Sequence, residues 1–272
     1  MPRRAPPPDA PAPPRRRFLG AHLSIAGGLE RALTAAARLD CGAVQLFTKN
    51  ASTWRERTLS ADEIDRFRAA HAAAGRPALA SHAAYLVNLA TPDPVLQARS
   101  REAMIQEVRR CHRLGIPWVV VHPGAHMGAG VAAGLAGVRQ ALGAILAATA
   151  ETSVGLLVET TAGQGTGVGH RFEHLAAILG PAGGEARLGA CLDTGHVFAA
   201  GYDIRTAAGW RTTIEAFRRL VGLERLHWTR LNDSRPGLGS RVDRHAGIGE
   251  GAIGLEGFAA LMNDSRLVGS LQ

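Results

Sequence analysis

Seven short apolar runs recur along the chain, at 18–23, 43–47, 77–81, 118–121, 155–158, 188–192 and 223–231. Ala-, Leu- and Arg-rich stretches with helical spacing separate them, at 28–38, 61–73, 97–113, 131–149, 171–179 and 211–221, and a last one follows at 254–262. Apolar runs this short, bounded by turn residues, read as buried strands. Strands alternating with helices at intervals of roughly 30–40 residues are the signature of βαβ units and a parallel sheet. Eight such units close into a (β/α)8 TIM-type barrel, and the 272 residues suffice for one. Only seven strands can be counted. Residues 263–272 stand where an eighth would begin, so the expected fold is an α/β barrel with strand eight missing or truncated. Either the seventh and first strands then pair directly, or two sheet edges stay open. The barrel is expected to span 18–272, after a Pro- and Arg-rich arm at 1–17 that has almost nothing to bury and reads as disordered.

That arm carries Arg3, Arg4, Arg15, Arg16 and Arg17 against Asp9, which is half of the net charge of +8. The remaining body is mildly basic, which permits a polyanionic partner without requiring one. Cys41, Cys111 and Cys191 form no C-x-x-C pair and read as buried thiols of a reducing compartment. No apolar run approaches the roughly 20 residues of a membrane span, and the N-terminus lacks the apolar core of a signal peptide. The expectation is a cytoplasmic chain with no membrane association.

Polar residues punctuate the carboxyl ends of the strands, where barrels of this type keep their chemistry. The sixth run ends in Asp193-Thr194-Gly195-His196. Singly, such residues have plain explanations: Asp193 as a helix cap, His196 as a surface histidine, Asp243 and His245 as part of a solvated loop. Converging at one barrel mouth they are His82, His122, Glu159, Asp193, His196, Asp243 and His245. So many polar groups in one basin are costly unless something satisfies them. Imidazoles with carboxylates are the donor set of zinc and similar divalent ions. Seven exceed one tetrahedral site and imply at least two metals, an arrangement suited to phosphodiester hydrolysis.

Gly-Ala-His-Leu-Ser at 20–24, Leu-Phe-Thr-Lys-Asn at 46–50, Glu-Thr-Thr-Ala-Gly-Gln-Gly at 159–165, Leu-Asp-Thr-Gly-His-Val-Phe-Ala-Ala-Gly-Tyr-Asp at 192–203 and Gly-Ser-Arg-Val-Asp-Arg-His at 239–245 resemble the endonuclease IV family of zinc-dependent apurinic/apyrimidinic (AP) endonucleases. The resemblance runs from Phe18 to Gly269. It implies a barrel whose mouth holds three zinc ions and a monomer that acts on double-stranded DNA with abasic sites in base excision repair. By the same resemblance, His82 and His122 hold the first ion, and the catalytic ligand Glu159 bridges it to a second that Asp193 shares. His196, Asp243 and His245 hold the third. The product would be a cut 5′ to the abasic site that leaves a 3′-hydroxyl. Tyr85 and Leu86 match the loop that enters the DNA stack, and wedging costs least where a base is already missing.

Two ligands of the second zinc depart from the pattern. Arg230 stands where the family has a histidine before Leu-Asn-Asp, and the family's strand-eight glutamate falls beyond residue 272. Arginine is always charged and offers no lone pair. His227 could substitute only through a bulge, because a residue three along a strand faces the other way. The family's DNA-wedging arginine falls at Ser52. Two or three zinc ions are therefore expected, the second bound weakly or not at all. Two other readings are a cleavage-impaired abasic-DNA-binding relative and a metal-dependent sugar isomerase or epimerase. The latter predicts one metal, and the seven donors and the Tyr85–Leu86 pair argue against it.

Overall fold

Seven strands hydrogen-bond in sequence order, every adjacent pair parallel: β1 (Gly20–His22), β2 (Ala43–Leu46), β3 (Ala78–His82), β4 (Trp118–Val121), β5 (Gly155–Glu159), β6 (Leu188–Asp193) and β7 (Leu226–Arg230). The computed structural model describes residues 18–180 and 184–267, so the arm at 1–17 lies outside the described residues. The helices are α1 (Leu29–Arg38), α2 (Ala61–Ala73), α3 (Pro94–Leu114), α4 (Val131–Ala148), α5 (Phe172–Leu179), α6 (Thr194–Ala200), α7 (Ala207–Leu220) and α8 (Gly254–Met262). A short hairpin, β8 (Asp233–Ser234) with β9 (His245–Ala246), stands beyond the end of β7.

Local chemistry sets the helix ends. Ser60 and Glu63 close a capping box on α2. Asp93 accepts from the N–H groups of Val95 (2.8 Å) and Leu96 (3.2 Å), so α3 starts three residues earlier than its apolar spacing indicates, with Pro94 in the first turn. It ends at Gly115, whose φ of 77° suits glycine. α4 corrects one expectation: by length and composition alone this helix could cross a bilayer. Its Val138, Ala141, Leu142, Ile145 and Leu146 are instead buried in the core. Cys111 and Cys191 are buried as expected, whereas Cys41 is only half-buried; all three are free.

Strand periodicity divides the molecule into two cores. Outward positions such as Val44, Leu46, Leu79, Val119, Val121, Leu156, Val158 and Leu192 join the large cluster beneath the helices. The inward alternates Ala43, Ala80, Val120, Leu157, Cys191 and Trp228 fill the barrel interior, with alanines on β2 and β3 offsetting the indole from β7. Nearer the amino ends of the strands, Trp118 and His227 stack at 4.5 Å. Gly155 and Gly189 make room for that stack: a Cβ there would lie 2.1 Å from Trp118 and 2.4 Å from His227. Two residues further along, the inward positions turn polar: His22, Gln45, His82, Glu159, Asp193 and Arg230.

The pairing of β6 with β7 skips a residue, from Ala190↔Leu226 to Cys191↔Trp228, so the bulge that His227 requires is present. It sends the ring to the base of the barrel against Trp118, and Arg230 pairs with Asp193 at the top. β7 and β1 do not pair, and no further strand joins them among the described residues. A cavity of about 370 Å³ separates Gly20, Ala21 and His22 on one edge from Trp228, Thr229 and Arg230 on the other.

Candidate metal centre

Asp193 ends β6 and also caps α6, its Oδ1 accepting from His196 N–H at 3.1 Å. The plain reading of Asp193 as a helix cap is thus correct, and it serves the site as well, because capping aims the carboxylate into the barrel mouth. His196, read alternatively as a surface residue, is only 1% exposed. The Nδ1 of His196 donates to the Thr160 carbonyl at 2.7 Å, and that of His82 to the Ala83 carbonyl at 2.8 Å. A carbonyl can only accept, so both bonds place the proton on Nδ1 and leave Nε2 as the ligand nitrogen.

Glu159, fully buried, is the hub. Its Oε2 lies 3.1 Å from His82 Nε2 and 3.2 Å from His122 Nε2, while its Oε1 accepts from Arg230 Nη1 at 2.9 Å. Burial pushes the Glu159 carboxyl up, but Arg230, followed by His122 and His82, outweighs it and holds the group well below the usual carboxylate range. Burial lowers the pKa of His82 while Glu159 opposes it, and His82 Nε2 and Glu159 Oε2 are within hydrogen-bond distance at 3.1 Å.

Asp193 divides its oxygens in the same way. Oδ1 lies 3.9 Å from both His196 Nδ1 and His245 Nε2, and Oδ2 accepts from Asn232 Nδ2 at 2.6 Å with Arg230 Nη1 3.7 Å away. Asp243 stands across the mouth, 3.3 Å from His196 Nε2 and 3.3 Å from His245 Nε2. His196 is pushed down by burial but raised to about 9 by Asp193, Asp243 and Glu159 together. The His196 ring beside Asp243 in turn draws that carboxyl down to about 2.

The seven residues picked from the sequence therefore meet at one mouth. The groups His82–His122–Glu159 and Asp193–His196–His245 each bring three ligand atoms within 4.8 Å of one another. The buried Nε2 atoms of His122, His196 and His245 have no hydrogen-bond partner, because the carboxylates near them are not aligned to accept. Orphaned imidazole nitrogens facing carboxylates fit divalent metal ions such as zinc. Tyr85 is 66% exposed on a turn beside the mouth, its ring 5.9 Å from that of His82, and Leu86 follows half-buried. Both line a cleft of about 640 Å³ with His122, Gln164, Asp243 and Arg244.

Several supporting residues escaped sequence reasoning. Thr160 accepts from Asp193 N–H at 2.9 Å, Gln164 accepts from Asp243 N–H at 3.2 Å, and Asn232 holds Asp193. Asp233, fully buried, accepts from the N–H groups of Ser234 (2.8 Å), Ile253 (2.9 Å), Gly249 (3.0 Å) and Gly251 (3.1 Å), anchoring the loop beyond the hairpin that delivers His245. All four lie in the polar stretches that end β5 and β7, which is the signal that could have found them.

Fold and site together define a xylose isomerase-like TIM barrel with a metal-capable mouth, and the family description "Xylose isomerase-like TIM barrel" matches residues 33–271. Among curated relatives, a probable endonuclease 4 of Geobacter sulfurreducens is 47% identical over 249 residues, 92% of this chain and 84% of that one. Another from Chloroflexus aurantiacus is 46% identical over 91% of this chain and 87% of its own length. The crystal structure of endonuclease IV from Thermus thermophilus superposes with a TM-score of 0.84 at 39% identity, covering 93% of this chain and 90% of that one. A D-tagatose 3-epimerase-like protein shares the fold at 20% identity with a TM-score of 0.69. The chain belongs to the endonuclease IV family.

Proposed function

We propose that this chain is a metal-dependent AP endonuclease of base excision repair, hydrolysing the phosphodiester 5′ to an abasic site in double-stranded DNA and leaving a 3′-hydroxyl. The observation that carries the reading is the set of buried, partnerless imidazole nitrogens opposite Glu159, Asp193 and Asp243, in a chain of this family. Bound divalent ions, zinc in this reading, supply Lewis acidity that acidifies water and offsets charge on the reacting phosphate.

The chain's own residues do the rest. Backbone carbonyls lock the tautomers of His82 and His196, so ligand nitrogens are presented with little reorganisation. Glu159 serves a histidine pair with one oxygen and Arg230 with the other, keeping the carboxylate ionised at the centre of the mouth. Tyr85 and Leu86 at the rim press into the duplex stack, which yields most easily where a base is absent. We take the protein to act as a cytoplasmic monomer, since one barrel mouth supplies every residue of the reaction.

The test is a duplex with a single synthetic abasic site, end-labelled on the damaged strand, incubated with metal or with chelator. Scission on the 5′ side with an extendable 3′-hydroxyl, abolished by chelator, is the expected result. Scission on the 3′ side, or equal scission in chelator, refutes the reading. Tight binding of abasic duplex without scission would favour the cleavage-impaired alternative.

A further inference from the structure

In the two inner carboxylates, Glu159 and Asp193, the oxygens are shared out unequally. Glu159 Oε2 and Asp193 Oδ1 face the histidines of the two metal-capable groups. The other oxygen of each, Glu159 Oε1 at 2.9 Å and Asp193 Oδ2 at 3.7 Å, faces the same atom, Arg230 Nη1. Asn232 Nδ2 takes the remaining lone pair on Asp193 Oδ2 at 2.6 Å. The guanidinium reaches this place because Asp193 and Arg230 are register partners across β6 and β7. A guanidinium stays protonated in proteins and has no lone pair to offer a metal. A fixed monocation thus stands between two groups of three metal-capable donors.

We propose that Arg230 is a built-in cation that takes the central position of the site, limiting the chain to two tightly held divalent ions. The proposal rests on the metal-dependent reading above but makes a separate claim, about the number of ions. Charge balance favours it. The outer groups each combine imidazoles with one carboxylate oxygen. A third dication between Glu159 and Asp193 would have to displace the guanidinium from both or sit against it, and like charges at contact distance are strongly repulsive where water is excluded. The guanidinium compensates the inner oxygens without needing a metal, and no imidazole is directed at them from β7, since His227 is engaged at the base of the barrel.

The experiment is a zinc count. Full-length protein is stripped with chelator, dialysed and titrated with zinc against a chromophoric competitor, with elemental analysis of the desalted product. Wild type is expected to retain two ions, a third binding at least about 100-fold more weakly. Arg230→His removes the cation and supplies a donor beside Glu159 and Asp193, and is expected to bring a third ion into the tight class. Three tight ions in wild type overturn the proposal, and so does an unchanged count of two in a folded Arg230→His protein. Should that variant not fold, Arg230→Gln removes the charge alone: an ion added to the wild-type count supports the proposal and an unchanged count overturns it. None of these counts depends on DNA cleavage. A chain holding two ions but inert on abasic DNA would refute the proposed function and leave this inference standing.

Discussion

Replacing Asp233 with alanine removes a fully buried carboxylate at the mouth that, among the described residues, faces no histidine and is held by backbone N–H groups. Its oxygens accept four backbone N–H groups at 2.8–3.1 Å and a fifth, from Gly254, at 3.4 Å. Hydrogen bonds to a charged acceptor contribute about 1.5–3 kcal/mol each, and a buried donor left unpaired costs about 1–3 kcal/mol. The donors on buried Ser234 and Ile253 cannot reach water on truncation, whereas Gly249 is exposed and rehydrates. Two full penalties plus small losses at the glycines give about 3–5 kcal/mol. For a chain of this size that lowers the melting temperature by roughly 10 °C. Asp233→Asn does not rescue, since one of the two donor-facing oxygens becomes an NH2 pointing at N–H groups. Gly251→Ala attacks the same anchor from the other side, because a Cβ there would lie 2.4 Å from Asp233 Oδ1. The assay is urea unfolding of metal-free protein followed by circular dichroism, so that metal binding adds nothing to the native state. The hairpin also carries His245, so zinc affinity at Asp193–His196–His245 should fall while His82–His122–Glu159 is spared. A loss below about 1 kcal/mol for Asp233→Ala, or an Asp233→Asn variant as stable as wild type, would refute the reasoning.

Other perturbations separate the remaining parts. Glu159→Gln keeps the shape but removes the charge shared by both histidines and Arg230; abasic-site cleavage should drop at least about 10³-fold with weaker metal uptake at the first group, measured by single-turnover kinetics and zinc titration. Tyr85→Ala removes a largely exposed side chain, so unfolding should shift by less than about 0.5 kcal/mol while binding of abasic duplex weakens roughly 10-fold in a fluorescence titration. Burial holds His174 near 4, and its Nδ1 accepts from Gly169 N–H at 3.2 Å. The unfolded chain therefore binds a proton below about pH 6.5 that the native state refuses. This contribution is complete above that pH and is lost as pH falls from about 6.5 to about 4, by at most about 3 kcal/mol. His174→Gln should flatten that part of the stability–pH curve; an unchanged slope would dismiss the assignment. Chelator should lower the melting temperature of metal-loaded protein, with recovery on adding zinc.

Most of the barrel was legible because strand length and spacing are local properties. The runs at 118–121 and 155–158 became β4 and β5 within a residue, and the polar residues closing each run fell at one mouth because parallel strands share a direction. What could not be read depends on contacts between strands. α6 has seven residues, too few for an amphipathic period, and starts from the Asp193 cap. The bulge at His227 reflects the room left by Gly189 and the stacking surface of Trp118, both on other strands and far away in sequence. Arg230 was visible as a residue unable to ligate metal, but not as the partner of both Glu159 and Asp193, because that follows from β6–β7 register. Asp233 looked like one more polar strand end, and only the path of the 249–254 loop shows what it holds.

The proposed chemistry requires that these strand ends form a metal centre. Anomalous diffraction from zinc-soaked crystals, recorded on either side of the zinc absorption edge, tests it most directly. Peaks beside His82–His122–Glu159 and beside Asp193–His196–His245, with none between Glu159 and Asp193, are the predicted result. Absence of zinc at both groups under saturating metal would contradict it.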